Sequence, residues 1–147
     1  MVYAIIGESC TGKSTLAEKL KEKTNAEIYT GKDYLRLAKN ENIARKLFEK
    51  KLKEAVAGEN IIYVIAEKEH LSLIPAGAVR ILVKADLSVI KERFRQRMRG
   101  NLPAPVERML EMKHGCFDDI EKEFVLVSGV DDGDRITDEA VNMNKNA

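Results

Sequence analysis

Apolar and polar positions divide the chain into short, unbroken apolar runs separated by longer stretches with helical spacing. "VYAII", Val2 to Ile6, is apolar throughout and stops at Gly7, which is the pattern of a strand buried on both faces. From Lys13, "KSTLAEKLKEK" sets Leu16, Ala17 and Leu20 on one helical face. "AEIY", 26–29, predicts a short second strand, which "TGKD" ends. In "YLRLAKNENIARKLFEKKLKEAVAG", Leu35, Ala38, Ile43, Leu47, Leu52 and Val56 predict two helices interrupted near Asn40, the second closed by Gly58.

"NIIYVIAE", 60–67, is the most apolar segment and predicts a central parallel strand; "VRILVKA", after the turn "PAGA", predicts another. Asp86 is placed to cap the helix "LSVIKERFRQRMR", and Gly100 stops it. Pro105 suits the first turn of a further helix over "VERMLEMKHG", and "EFVLVS" predicts the last strand. The polar tail "DDGDRITDEAVNMNKNA" predicts no more than a frayed terminal helix. Strands alternate with helices without repeats or low-complexity linkers. The expected fold is therefore α/β: a parallel sheet of about five strands with helices on both faces and right-handed crossovers. One domain is expected over 1–147.

Charge removes several partners from consideration. Lys plus Arg number 25 against 24 Asp plus Glu, so nothing general favours nucleic acid or a membrane surface. No apolar run approaches the ~18 residues of a membrane span. Cys10 and Cys116 show no metal or disulfide spacing, and a reduced, cytoplasmic setting is expected. Monomer and homodimer both remain open.

The chemistry lies in "GESCTGKS", 7–14, which matches G-x-x-x-x-G-K-[ST] between a predicted strand and a predicted helix. Gly7 and Gly12 let the backbone curl so that its N–H groups, with those of Ser9, Cys10 and Thr11, point inward at the positive end of the helix. Such a nest takes a polyphosphate. Lys13 would reach its β- and γ-phosphates, Ser14 would offer a hydroxyl to Mg²⁺, and Thr15 would add a phosphate contact, so ATP with Mg²⁺ is the expected ligand. A guanine-reading N-K-x-D is missing, since "NKNA" at 144–147 lacks the Asp. The helix from Leu87 carries Arg93, Arg95, Arg97 and Arg99, and Arg108 follows the Pro turn. Like charges one turn apart repel unless an anion sits between them, which suits a lid over about 93–108.

Together with this P-loop, the stretch from Ile74 to Gly129 resembles the C-terminal half of guanylate kinases. The resemblance, covering about half the chain, is to P-loop nucleoside monophosphate kinases and implies that Arg93, Arg97 and Arg108 contact nucleotide phosphates or the transferring phosphoryl group. Gly115 stands where that family usually has a Glu, and Ser128 where an Asn commonly follows the last strand. The family's β-rich acceptor region is reduced, with only "GKDY", 31–34, resembling its G-x-D-Y. "YTGKDYLRLAKNE", 29–41, is similar to the T-G-D-x-x-R stretch of adenylate kinases with one residue inserted, implying Thr30 and Arg36 as acceptor contacts within a segment of about 30–57. Asp33 has another reading, because in shikimate kinase an Asp ending the second strand binds the acceptor hydroxyl and can take its proton. Glu67, with Glu69 as rival, stands where P-loop enzymes place a carboxylate that orients magnesium-bound water or the acceptor. His70 and His114 receive no chemistry. The expected activity is ATP-dependent phosphoryl transfer to a nucleoside monophosphate; a hydroxyl kinase of small metabolites and a nucleotide binder without transfer are the alternatives.

Overall fold

The computed structural model describes residues 1–145. Its strands are β1 (Val2–Ile6), β2 (Glu27–Thr30), β3 (Ile61–Ile65), β4 (Val79–Lys84) and β5 (Phe124–Val127). They form one parallel sheet in the order β2-β3-β1-β4-β5. The helices are α1 (Lys13–Thr24), α2 (Glu41–Ala55), α3 (Leu87–Arg97), α4 (Ala104–Lys113) and α5 (Gly133–Lys145). Among the described residues no helix is long and apolar enough to cross a membrane.

The two faces of the sheet are sorted by the period-2 alternation of side chains along a strand. Val2, Ala4 and Ile6 of β1, with Ile61, Tyr63 and Ile65 of β3, pack beneath Ala44, Phe48, Leu52 and Ala55 of α2. Tyr3 and Ile5, with Ile62 and Val64, face Leu16, Ala17 and Leu20 of α1 and Ile136 and Ala140 of α5. Both faces are covered, which is why β1 and β3 read as unbroken apolar runs rather than alternating ones. Phe48 is the centre of an aromatic cluster, with ring centroids 4.9 Å from Tyr29, 5.4 Å from Tyr34 and 4.9 Å from Tyr63. A third, smaller cluster joins Ile90 of α3 and Leu110 of α4 to Ala85 and Cys10 at the carboxyl edge of the sheet.

Several local expectations are corrected. The first of the two helices expected before Gly58 is a 3-10 turn, Asp33–Leu37, and Asn40 separates it from α2 as an N-cap whose side chain accepts from the Ile43 amide at 3.1 Å. α2 ends at Ala55, ahead of Gly58. Asp86 occupies the N-cap of α3, but its side chain makes no capping bond. α3 closes at Arg97; Arg99 (φ 58°) and Gly100 (φ 91°) turn the chain in the left-handed region before α4. The polar tail is a full helix, α5, packed on α1, with Ile136, Thr137 and Ala140 buried. Lys19 pairs with Asp134 at 3.3 Å across that seam, and Lys23 pairs with Asp138.

Because Ile136 is one of the few apolar contacts of α5, Ile136→Ala is expected to cost about 2–4 kcal/mol by equilibrium denaturation. A change within about 0.5 kcal/mol would mean that α5 frays off a fold complete without it.

Candidate functional site

The junction of β1 and α1 is shaped by two glycines for different reasons. The Gly7 amide donates to the Ile65 carbonyl at 3.1 Å, and a Cβ at this position would lie 2.5 Å from the Val83 carbonyl oxygen and 2.9 Å from Thr11 Oγ1. No side chain fits there. At Gly12 the nearest atom to a Cβ, Ser128 Oγ, is 3.6 Å away, so space is not the obstacle; its φ of 105° is. Between them Cys10 also takes a positive φ, 64°. Buried Thr11 braces the curl by donating to the Glu8 carbonyl at 2.8 Å.

The resulting loop suits a polyphosphate. Among the described residues no acceptor is found for the amides of Glu8 to Gly12, and the N-terminus of α1 adds its partial positive charge. Lys13 is only 8% exposed, and its Nζ donates to the same Glu8 carbonyl at 2.6 Å. Burial pushes its pKa down to about 8; the positive charge of Arg97 acts in the same direction, and Cys10 and Glu8 oppose it.

α3 brings its arginines to this cation. Arg93 donates from Nη1 to the Cys10 carbonyl at 3.0 Å and from Nη2 to Ser128 Oγ at 2.9 Å, bridging the loop and the end of β5. Arg97, one turn on, lines the same cleft of about 930 Å³, as do Thr30 and the loop from Ser9 to Thr15. Ser14 is exposed at the cleft floor, where its hydroxyl could meet a divalent cation carried in on phosphate oxygens. No group of three or more carboxylate, imidazole or thiol ligands occurs among the described residues, so a metal here would rely on the ligand it accompanies.

Other residues singled out in the sequence lie elsewhere. Arg108 is on the exposed side of α4, lining a shallow depression with Pro105, Met109 and Met112. Asp33 is taken up locally, its Oδ2 accepting from the Thr30 amide at 2.9 Å. Arg36 lies 4.4 Å over the Tyr29 ring and pairs with Glu27 at 3.2 Å, because β2 is the edge strand and the chain leaving it folds back on its own outer side. Glu67 pairs with Lys113 at 3.6 Å. Conversely, Lys19, Gln96 and Asp131 line the cleft without any sequence signal. They are brought in by α1, by α3 and by the turn after β5, which a one-dimensional pattern does not join.

The displaced pKa of Lys13 has a signed consequence. Below about pH 8 the folded state holds a proton against the cost of burial; between about 8 and the ordinary lysine value of 10.5 the unfolded chain binds more protons, so stability rises with pH. Lys13→Met is expected to stabilise the ligand-free protein by about 2 kcal/mol at pH 7 and to abolish that rise, as measured by denaturation across pH.

No family model matches the chain, and no curated protein matches it. Solved structures do. It is similar to an uncharacterised protein of Eubacterium ventriosum (TM-score 0.68, 18% identity, over 100% of this chain and 99% of that one). It is similar to the YorR protein of Bacillus subtilis, solved in complex with phosphorylated GDP (TM-score 0.63, 22% identity, 99% and 96%). A shikimate kinase of Bacteroides thetaiotaomicron is comparably similar (TM-score 0.62, 13% identity, 100% and 99%). The likeness is one of fold: this chain shares the five-stranded parallel α/β architecture of these structures.

Proposed function

We propose that the protein is an ATP-dependent phosphotransferase acting on a small acceptor, with a hydroxylated metabolite as the favoured acceptor class. One observation carries this reading: a buried lysine ammonium set in a loop of unpaired amides, with Arg93 and Arg97 facing it across a single cleft. A buried ammonium bonded to a neutral carbonyl, with free donors and further cations beside it, is costly unless an anion enters.

Bound ATP with Mg²⁺ supplies an activated γ-phosphoryl group; the protein supplies position and charge. Lys13 exchanges the Glu8 carbonyl for phosphate oxygens, and Ser14 would offer its hydroxyl to the magnesium ion. Arg93, tied to Cys10 and Ser128, holds the end of α3 over the loop and excludes water. Arg97 neutralises charge that spreads onto the transferring group. Arg108, now exposed on α4, would have to swing inward to join them. Thr30 faces the cleft at the end of β2, with Asp33 beside it. Released from the Thr30 amide, Asp33 is the carboxylate suited to accept a hydroxyl proton. Glu67 would join the acceptor or magnesium-bound water only after parting from Lys113.

The hydroxyl acceptor is favoured by the economy of the fold. Among the described residues all strands belong to one five-stranded sheet, and no second β-rich unit for a nucleotide acceptor occurs. The shikimate kinase of similar fold is matched over nearly its whole length. A nucleoside monophosphate acceptor is the second reading, favoured by the resemblance of Ile74–Gly129 to guanylate kinases and by the phosphorylated GDP in the YorR complex.

A coupled assay over hydroxylated metabolites and nucleoside monophosphates separates the two. Turnover with a hydroxylated acceptor is expected. Lys13→Ala should abolish it, Arg97→Ala should lower kcat by about 10²–10³, and Arg36→Ala should leave it within about threefold of wild type. Turnover confined to monophosphates would move the assignment to the second reading. Undiminished turnover in Lys13→Ala would overturn the site.

A further inference from the structure

β1 and β3 run side by side with Ile6 opposite Ile65, so Glu8 and Glu67, each two residues further on, emerge next to one another at the carboxyl edge of the sheet. Both reach the same short turn. Glu8 Oε2 accepts from the Gly115 amide at 3.1 Å and Oε1 meets His114 Nδ1 at 3.2 Å, while Glu67 Oε2 pairs with Lys113 Nζ at 3.6 Å. Lys113, His114 and Gly115 are consecutive and end α4, with Gly115 in the left-handed region at φ 79°.

The two carboxylates are not equivalent. Glu67 and Lys113 are each more than half exposed, so that pair is screened and weak. The Glu8 side chain is 14% exposed and bonds to a backbone amide, so it is the anchor. Its other end is equally engaged, since the Glu8 carbonyl is the acceptor for both Lys13 Nζ and Thr11 Oγ1. One residue therefore joins the buried ammonium to the end of α4. From there Lys91 of α3 reaches Glu107 at 3.1 Å and Glu111 at 2.6 Å on α4, and α3 carries Arg93 and Arg97.

We propose that Glu8 is a positioning residue that couples the phosphate loop to the lid. When an entering polyphosphate draws Lys13 off the Glu8 carbonyl, the Glu8 peptide loses one of its two side-chain donors. The carboxylate on the same residue then shifts the turn at Lys113–Gly115, and the Lys91 bonds carry the shift to α3 and its arginines. The contacts form a continuous chain of the kind through which coupling travels. The inference rests on the phosphotransferase reading for its kinetic consequence; its structural link does not.

Hydrogen exchange read separately over residues 8–15 and 110–118, with and without Mg·ATP, tests it. In the wild type, nucleotide is expected to alter exchange in both segments. In Glu8→Ala, ligand-free exchange at Gly115 should rise about tenfold or more, and nucleotide should still protect 8–15 with affinity within about threefold. It should no longer alter 110–118, and kcat should fall about tenfold with the KM for ATP little changed. Glu8→Gln, which keeps an oxygen for the Gly115 amide, should recover most of the loss, and His114→Ala, which removes a partner from the exposed side, should act in the same direction more weakly. Unchanged exchange at Gly115 in Glu8→Ala, or persistent nucleotide response of 110–118 in that variant, would overturn the coupling. A wild type that binds no nucleotide would sink the phosphotransferase reading instead, while ligand-free exchange at Gly115 would still decide the anchor.

Discussion

The ammonium of Lys13 is buried at the point where the first strand becomes the first helix, and its bond to a protein oxygen is to the carbonyl of Glu8. In water that charge would be freely solvated; here it is held at a cost large enough to bring its pKa to about 8. The features around it relieve that cost only in part, since Cys10 and Glu8 favour the charged form while the rest oppose it. Arg97 adds repulsion, the amides of the loop present further donors, and the helix beginning at Lys13 presents its positive end. The loop amides, the helix end and Arg97 therefore favour a multiply charged anion, and the two glycines are the geometric condition for it. Gly7 leaves no space for a side chain against Val83, and Gly12 needs a backbone angle that other residues avoid.

The scaffold divides into a rigid part and a lightly held part. The sheet is buried on both faces by α2 on one side and by α1 and α5 on the other, so the loop hangs from strands that cannot shift without opening both cores. α3 and α4 are secured differently, by a small apolar cluster around Ile90 and Leu110 and by the polar contacts of Arg93, Lys91 and Glu8. Elements with few buried apolar contacts open at low free energy. The proposed closing of α3 over the loop needs that property, and Arg93, bonded to the Cys10 carbonyl, is the contact at the loop itself.

Much of this was legible in the sequence, and its limits have physical reasons. The apolar runs of β1 and β3 and the spacing of Leu16, Ala17 and Leu20 announce the fold because they reflect burial, which is a property of single residues and their period. The loop from Gly7 to Ser14 is legible because phosphate binding by backbone is a contiguous device. α5 is faint in the sequence because only a few apolar side chains, Ile136 and Ala140 among them, hold it to α1. Arg36 and Asp33 sit in a stretch similar to acceptor loops but are engaged by Glu27, Tyr29 and the Thr30 amide, contacts that depend on β2 lying at the sheet edge. Gly115 and Ser128 are where this chain bonds Glu8 and Arg93. Such pairings need the strand order and register, which the one-dimensional pattern does not contain.

The central claim is that a polyphosphate replaces the Glu8 carbonyl as the partner of a half-deprotonated Lys13. Titration calorimetry with Mg·ATP at pH 8, repeated in buffers of different ionisation enthalpy, reads the accompanying proton directly. Binding should take up about half a proton per site, falling toward zero by about pH 6.5, where the lysine is already charged. Binding whose heat is independent of the buffer at pH 8, or no binding at all, would contradict the account.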